Sequence, residues 1–275
     1  MTAVPTTMPT ARPEGSAKGL TLVEGLRQSA TLAWRTLVQI RHNPWELGDF
    51  SFQPIMFLLM FTYVFGGAIE GSTGDYLTFA LPGIIVMNML FVTMYVGLGL
   101  NTDLTKGVFD RLRSLPLARW APMAGRIAAD LVKQAWSVVL LLGVGMLLGF
   151  RVETSPLAVL GMTALVLAFA LAFSWVSVLV GVLAKDPEHV QLFGFTALFP
   201  VTFVSNVFVR EETMPDWLRA VVEVNPVSIL ADASRGLLVG GPVAGPVTWS
   251  LVFAVAFTAV FAPLSMWAFR RRVSV

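Results

Sequence analysis

The sequence contains no cysteine in 275 residues and only two histidines, His42 and His189. The absence of cysteine excludes disulfide bridges and thiol chemistry, and two distant histidines are too few for a histidine metal cluster. Charged residues make up only 13% of the chain, whereas a typical soluble domain has about 25%. The net charge of +2 gives no general electrostatic support for binding a nucleic acid.

The motifs of the common nucleotide and hydrolase sites are also missing. The dipeptide Gly-Lys does not occur, so the chain has no GxxxxGK(S/T) phosphate loop, and HExxH, GxSxG and CxxC are absent. Few ionisable residues lie well inside an apolar segment, which disfavours an intramembrane proton relay or catalysis. We therefore expect a chain that binds no metal or cofactor, does not hydrolyse ATP by itself and is not an enzyme.

Apolar residues, in contrast, make up 56% of the chain and occur in long runs. A membrane-spanning helix needs about 20 mostly apolar residues. Six segments qualify, and they cover residues 51–69, 77–101, 132–150, 158–183, 190–208 and 247–269. The fifth segment follows the fourth after only a short polar connection, Lys185–His189. The sequence therefore predicts an all-α integral membrane protein with six transmembrane helices.

The sequence before the first span divides into two parts. Residues 1–20 are rich in Pro, Thr and Ala and have no apolar run, which predicts a disordered cytoplasmic tail. Residues 21–43 predict an amphipathic helix that lies in the membrane interface, because apolar residues recur there at helical spacing. Its apolar face consists of Leu22, Leu26, Ala30, Ala33, Leu37 and Ile40. The remaining residues, 44–275, form the six-span domain.

The distribution of lysine and arginine predicts the orientation. If both termini are cytoplasmic, 15 of the 19 basic residues lie in the inner segments 1–50, 102–133, 184–189 and 270–275. Short loops on the cytoplasmic side carry this excess in membrane proteins. Arginine outnumbers lysine 15 to 4, which is typical of a GC-rich bacterial genome. We therefore expect a multi-pass protein of the bacterial plasma membrane with both termini in the cytoplasm.

The outer connection, residues 209–246, has apolar residues of its own. Pro215 suits the start of a helix, and Asn225-Pro226 would end it before a second helix that stops at the Gly240-Gly241 pair. Two short helices of this kind are either re-entrant or an interfacial hairpin that shields the ends of the spans. The candidate outer gate consists of Pro215, Trp217, Leu218, Asn225 and Pro226.

Aromatic, thioether and amide side chains inside the spans mark a candidate substrate path. Polarisable, adaptable side chains suit bulky apolar ligands of variable shape. The path residues are Phe57, Met60, Met87, Asn88, Phe199 and Asn206. The alternative is that the apolar members face lipid or pack between helices, and that the two amides form interhelix hydrogen bonds.

Between the second and third spans lies a basic segment, residues 102–116. Leu104, Val108, Leu112 and Leu115 recur at helical spacing and would form one apolar stripe, and Pro116 marks the end of the helix. One interpretation is a surface helix that rests on anionic lipid. The other is a helix that inserts its apolar ridge into a groove of a soluble partner. Composition alone leaves both open.

Several strings in the chain resemble one known family. They are KGVFDRLRSLPLAR at 106–119, Leu81-Pro82-Gly83-Ile84, Ser205–Val209, Met214–Leu218 and Asn225-Pro226-Val227. In this order and spacing, the strings resemble the type-2 permeases of ABC exporters, most closely the daunorubicin/doxorubicin-resistance branch. The resemblance covers nearly the whole chain from Asn43 to Arg272.

The resemblance implies a fold, partners and a mode of action. The fold is a six-span bundle with an N-terminal interfacial helix, a cytoplasmic coupling helix between spans two and three, and an outer re-entrant helical pair between spans five and six. Two permeases, a second copy or a related chain, would work with two copies of a separate ATP-binding subunit, which would hold ATP and Mg²⁺. The residues that would couple to that ATPase are Leu104, Lys106, Val108, Phe109, Arg111, Leu112, Arg113 and Pro116.

The expected cargo is a hydrophobic or amphipathic small molecule, such as a drug, an antibiotic or a lipid-like product, and the surrounding membrane lipid is a further contact. A permease for a polysaccharide or glycolipid is an alternative within the same fold. A membrane-embedded lipid-modifying enzyme is a more distant one, because Glu211, Glu212 and Asp216 have no matching histidine.

Overall fold

The computed structural model describes residues 22–42, 44–108 and 120–273, and every regular element in these ranges is helical. The first helices are α1 (Leu22–His42) and α2 (Pro44–Met60), and α2 continues through a π-helical turn (Phe61–Phe65) into α3 (Gly66–Ile69). The long helices that follow are α4 (Thr73–Thr105), α5 (Ala121–Leu147) and α6 (Pro156–Leu183). The last four are α7 (Pro187–Phe203), α8 (Asp216–Val224), α9 (Pro226–Val239) and α10 (Ala244–Val273). The prediction of an all-α protein is confirmed for the described residues.

Five helical segments are long and apolar enough to cross a membrane. They cover Ser51–Ile69, Thr73–Thr105, Ala121–Leu147, Pro156–Leu183 and Ala244–Arg272. The predicted fifth span, 190–208, differs from these, because helix α7 has only 17 residues and ends at Phe203. The next residues, 204–209, are not helical. The sixth crossing therefore stays a prediction.

Local capping signals set several helix boundaries. Ser72, Ser155 and Asp186 precede α4, α6 and α7, and each side chain accepts a backbone N–H from the first turn of its helix. Pro156 and Pro187 then occupy first-turn positions, where the missing N–H costs no helical hydrogen bond. A polar capping residue therefore precedes each of these three apolar helices and marks where the helix begins.

Helix α4 is the central helix of the bundle. It packs against α5, α6, α7 and α9, and 89% of its apolar span is buried inside the protein, compared with 17% for α10. Leu81, Ile84 and Met89 of α4 are fully buried and share one core cluster with Leu141 of α5 and Phe169 of α6. Most of the apolar surface of α4 therefore contacts other helices, whereas α10 presents an exposed apolar face typical of lipid contact.

The N-terminal helix α1 packs along the first turns of α5, and its apolar residues are divided between two faces. Gly25, Ser29 and Ala33 are buried, and their small side chains allow a close approach between the two helices. Leu26 is 61% exposed on the other side, together with Trp34. The face of α1 that packs on α5 is thus a stripe of small residues. The predicted apolar face did not identify it, because large apolar residues such as Leu26 lie on the exposed side.

The predicted single helix from Leu104 to Leu115 is wrong at its start. Helix α4 runs on through Leu104 to Thr105, and the chain then turns at Lys106 and at Gly107, whose φ is +66°. This left-handed conformation favours glycine and ends the helix. Leu104 therefore belongs to the last turn of α4 and not to a continuous stripe with Val108.

Helices α4 and α6 approach each other closely. A β-carbon at Gly97 would clash with the backbone carbonyl of Ser177, and one at Gly181 would clash with the carbonyl of Gly97. The backbones themselves are therefore in contact, as at the small-residue interfaces of membrane helices.

Replacing Gly97 by alanine should separate these two helices. Because the clashing atoms are backbone atoms that cannot rotate away, we expect Gly97→Ala to lower the free energy of unfolding by about 1–3 kcal/mol. The measurement is the melting temperature of the purified protein in detergent. Gly143→Ala is the matched control, since a β-carbon there meets no atom within 4 Å. Equal melting temperatures for the two variants would contradict the backbone contact.

Candidate functional site

The predicted coupling residues fall into two groups. Phe109, Arg111, Leu112, Arg113 and Pro116 lie outside the described residues. The other three lie at the end of α4 and in the turn that follows it, where Leu104 and Val108 are half-buried and Lys106 is exposed. Leu104 packs against a second apolar cluster, to which α4, α5, α6 and α10 all contribute.

Polar contacts tie this end of α4 to the neighbouring helices. Asn101 donates through Nδ2 to the carbonyls of Gly181 and Ala184, at 2.9 Å each. Arg272 of α10 donates to the Ala184 carbonyl at 2.7 Å, and Arg126 of α5 forms an ion pair with Asp103. Movement of the chain beyond Thr105 would therefore be passed to four helices together.

Phe57 and Phe199, two of the predicted path residues, stand at the two ends of a row of neighbouring aromatic rings. Phe199 stacks on Phe203 with 4.1 Å between centroids, and Phe203 lies 5.1 Å from Phe208. Phe208 stacks on Phe61 at 4.2 Å, and Phe61 lies 6.1 Å from Phe57. We call these five residues the aromatic row. It connects α7 to α2 across a long stretch of sequence.

The aromatic row is partly exposed at its α7 end. Phe199 is 52% exposed, and Met60, one residue before Phe61, is 41% exposed. An exposed aromatic and thioether surface can contact lipid, a second protein or a bulky apolar ligand. Phe199 and Met60 are therefore the two predicted path residues whose side chains are exposed.

Met87 and Asn88, in contrast, lie in the contact between α4 and α5. Met87 is 3% exposed, and Asn88 Nδ2 donates to Ser137 Oγ at 2.7 Å. Gln134 Nε2 donates to the Met89 carbonyl at 2.8 Å one turn away. For Asn88 the structure therefore has the interhelix hydrogen bond that was the alternative to substrate contact.

An apolar cavity of about 60 Å³ lies between α4, α6 and α7. It is lined by Met94, Phe173, Phe193 and Gly194 among others. Pockets for drug-sized ligands measure roughly 300–1,000 Å³. The cavity is thus too small in this conformation to hold such a compound.

The sixth path residue, Asn206, belongs to a polar cluster centred on Arg235, which sequence inspection did not single out. Arg235 Nη1 lies 2.8 Å from Asp232 Oδ1 and 3.1 Å from Asn206 Oδ1. Its Nε donates to the Phe79 carbonyl at 3.0 Å, and its Nη2 donates to the carbonyls of Asn206 and Val207. One guanidinium thus holds the non-helical segment after α7 against α4 and α9. The sequence signal that could have identified this cluster is an Asp–Arg pair three residues apart in a mostly apolar helix.

The cluster extends to a second arginine through the ring of Phe79. The guanidinium carbons of Arg235 and Arg210 lie 4.1 Å and 4.7 Å from the centroid of this ring. Arg210 also pairs with Glu70 at 2.6 Å. Burial lowers the pKa of Arg235, and the negative charge of Asp232 counteracts this effect. We call Glu70, Phe79, Asn206, Arg210, Asp232 and Arg235 the Arg235 cluster.

Asn225, a predicted gate residue, connects the ends of two helices. Its Nδ2 donates to the carbonyls of Val201 and Val204, at 2.8 and 2.6 Å, and its Oδ1 accepts the Val227 N–H at 2.9 Å. The same side chain therefore satisfies the last carbonyls of α7 and the first N–H groups of α9.

The other predicted gate residues have simpler positions. Pro215 immediately precedes α8, and Pro226 is the first residue of α9. Trp217 is 71% exposed, and Leu218 is half-buried. Asn225 is hydrogen-bonded to Val204, the first residue of the segment that the Arg235 cluster holds.

Known proteins are similar to this chain over most of its length. The family model described as ABC-2 type transporter matches residues 27–239. The chain is 42% identical over 246 residues to a daunorubicin resistance ABC transporter permease protein of Streptomyces coeruleorubidus, which covers 89% of this chain and 87% of that protein. It is 26% identical over 218 residues to a probable doxorubicin resistance ABC transporter permease protein of Mycobacterium tuberculosis, covering 78% of each. It is 22% identical over 200 residues to a probable multidrug ABC transporter permease of Escherichia coli, covering 72% of this chain and 54% of that protein.

Removal of Arg235 should loosen the segment between α7 and α8. In Arg235→Met the carbonyls of Phe79, Asn206 and Val207 lose the Arg235 donor and the Asp232 carboxylate keeps only Asn206 Nδ2, at a cost of about 1–3 kcal/mol. We expect amide hydrogen exchange in residues 204–209 to become about tenfold faster or more. Arg151→Met, in the connection between α5 and α6, is the control and should leave this exchange unchanged. Slow exchange in Arg235→Met would show that the cluster does not hold the segment.

Proposed function

The chain belongs to the ABC-2 type transporter family, and we propose that it is the membrane permease subunit of an ATP-driven exporter of hydrophobic or amphipathic compounds. The observation that carries this proposal is the 42% identity, over 89% of the chain, to a daunorubicin resistance permease. Five helices long enough to span a membrane and a partly exposed aromatic row fit the role.

The energy source in this proposal is a separate ATP-binding subunit. The chain has no phosphate loop of its own, so ATP and Mg²⁺ would bind to the partner, and this chain is not an enzyme. Two copies of the partner would work with two permeases, either two copies of this chain or this chain and a related one. The cargo would cross at the permeases and not at the ATPases.

The segment after Thr105 would receive the motion of the ATPase. The tail of α4 is fixed to α6 and α10 through Asn101 and Arg272, and to α5 through the Asp103–Arg126 pair. A push on the turn at Lys106 and Gly107 would therefore tilt these helices as a group. Phe109, Leu112 and the two arginines, Arg111 and Arg113, would form the contact with the partner.

For the sixth crossing we infer a short span made of α7 and the segment that follows it. Seventeen helical residues extend about 26 Å, close to the hydrocarbon thickness of about 30 Å. Non-helical backbone at membrane depth needs cover by protein, and Ser205, Asn206, Val207 and Phe208 are each at most 6% exposed. Helices α8 and α9 would then form the outer re-entrant pair, and both termini would be cytoplasmic.

Charge reversal in the coupling segment tests the proposed function. Arg111→Glu with Arg113→Glu should abolish ATP-dependent export of a fluorescent anthracycline from cells that also express the partner ATP-binding subunit. The reason is loss of the basic contact, so ATP hydrolysis should continue while export stops. Export is followed as the ATP-dependent loss of cell fluorescence, and hydrolysis as phosphate release by the purified complex.

The control for this experiment is Arg12→Glu with Lys18→Glu, which makes the same change of charge in the predicted cytoplasmic tail. Both double variants should insert into the membrane in equal amounts. Unchanged export in the Arg111 and Arg113 variant would refute the assignment of the coupling segment. Absence of export in the unaltered complex would refute the exporter itself.

The number of crossings can be measured directly, because the chain has no cysteine. We expect Thr2→Cys and Val275→Cys to react with a membrane-impermeant maleimide only in inside-out vesicles, and Thr213→Cys only in intact cells. The reason is that six crossings place both termini on the cytoplasmic side. If α7 does not cross the membrane, the chain has five crossings. Position 213 would then react only in inside-out vesicles and position 275 only in intact cells.

A further inference from the structure

A second cavity, of about 390 Å³, opens between helices α8, α9 and α10. Trp249 and Phe253 of α10 supply two aromatic surfaces, and Val224 and Ile229 add aliphatic ones. Two carboxylates, Glu223 and Asp232, also line it. We call this cavity the α9–α10 cleft. Its volume falls within the range of roughly 300–1,000 Å³ that is typical of pockets for drug-sized ligands.

The charges of the cleft and its surroundings favour a cation. Its lining includes two carboxylates and no lysine or arginine. Glu223 pairs with Arg219 at 3.2 Å and Asp232 pairs with Arg235 at 2.8 Å, so both arginines lie outside the lining and leave the carboxylates partly exposed. The predicted outer connections, residues 70–76, 151–157 and 209–243, together hold eight carboxylates and four arginines, and the last of them contributes Glu223 and Asp232 to the cleft. Burial and the charge of Asp232 raise the pKa of the neighbouring Glu211 carboxyl, as expected in a region of negative potential. A cation would be concentrated here and an anion repelled.

Asp232 has the capacity to accept another donor. Its Oδ1 receives Arg235 Nη1, and Asn206 Nδ2 is shared between both oxygens at 2.9 Å. A carboxylate oxygen offers two lone-pair sites, and Oδ2 uses one of them for Asn206. The side chain of Asp232 is 41% exposed, whereas that of its partner Arg235 is 14% exposed. A bound cation could therefore contact Asp232 without first displacing the arginine.

The aromatic side chains determine what else the ligand must have. Trp249 is 59% exposed beside the cleft, and indole is the ring that attracts a cation most strongly through its face. Phe253 and Ile229 offer no hydrogen bond to a sugar or a peptide. The complementary ligand thus has one positive centre and an apolar ring body.

We propose that the α9–α10 cleft is a binding site for lipophilic organic cations, in which Asp232 and Glu223 contact the positive centre and Trp249 and Phe253 contact the apolar body. Occupation of the site places a positive charge next to the Asp232–Arg235 pair and weakens the attraction between them. The hold of Arg235 on residues 204–209 then loosens when a ligand is present. The cleft thus links ligand binding to the segment that follows α7.

This inference rests on the proposed function only in taking the ligand to be the exported compound. The binding experiment below uses neither ATP nor the ATP-binding subunit. Selective binding without ATP-driven export would overturn the exporter and leave the site intact. Export without selective binding would overturn the site alone.

The experiment measures protection of a single cysteine in the full-length chain, embedded in phosphatidylcholine nanodiscs. Val224→Cys places the thiol in the cleft at a position that is 68% exposed. The probes are tetraphenylphosphonium and tetraphenylborate, which share size and shape but have opposite charges. At a concentration of four times its Kd, tetraphenylphosphonium should slow the reaction of the thiol with maleimide about fivefold. Tetraphenylborate at the same concentration should not slow it. Leu157→Cys, exposed at the start of α6 and outside the cleft, should react at the same rate with either ion.

Two substitutions then test the named contacts. Asp232→Asn and Trp249→Ala, each combined with Val224→Cys, should abolish the protection by tetraphenylphosphonium, and Trp249→Ala does so without touching the Arg235 cluster. Asp216→Asn and Trp136→Ala, which alter a carboxylate and an exposed indole that do not line the cleft, should retain it. Equal protection by both ions, or protection that survives Trp249→Ala and Asp232→Asn, overturns the site. A cysteine at position 224 that never reacts also overturns it, because a second copy of the chain would then cover the cleft.

Discussion

Hydrocarbon offers a peptide group no hydrogen-bond partner, so a chain inside a membrane must bond its own backbone at every point. Helices meet this requirement along their length and fail at their ends, where the last carbonyls have no N–H to accept. In this protein side chains from other helices complete those ends. Asn101 and Arg272 bind the last carbonyls of α6, Asn225 binds those of α7, and Arg235 binds the carbonyls of the segment that follows α7.

These end contacts lie at opposite ends of the bundle and have different consequences. At one end they fix α4, α5, α6 and α10 to each other just before the predicted coupling segment, which makes the group of helices stiff. At the other end Arg235 and Asn225 hold residues 204–209, which are not part of a helix. In the proposed exporter, the stiff end would receive the push of the ATPase and the end held by Arg235 would be the one that opens. The α9–α10 cleft adjoins the end held by Arg235 through Asp232.

Sequence reasoning was most successful where a single helix decides the result. Five of the six predicted spans match helical segments that are long and apolar enough to cross a membrane. It was least successful where two segments meet. The stripe that packs α1 on α5 consists of Gly25, Ser29 and Ala33, and these residues look unremarkable in a hydropathy pattern. Leu104 looked like part of a surface helix because the positive φ of Gly107 leaves no mark in helical spacing.

The sequence by itself determined the class of the protein and the position of five long apolar helices, because hydropathy is a local property of the chain. The absent phosphate loop is likewise visible in the sequence, and the proposed ATP-binding partner rests on it. Only the tertiary structure decided which polar side chains act together. Arg235 and Phe79 are 156 residues apart, and Asn101 and Gly181 are 80 apart, so no periodicity connects them. Their contacts exist because α4 lies at the centre of the bundle, where it meets α6 on one side and α9 on another.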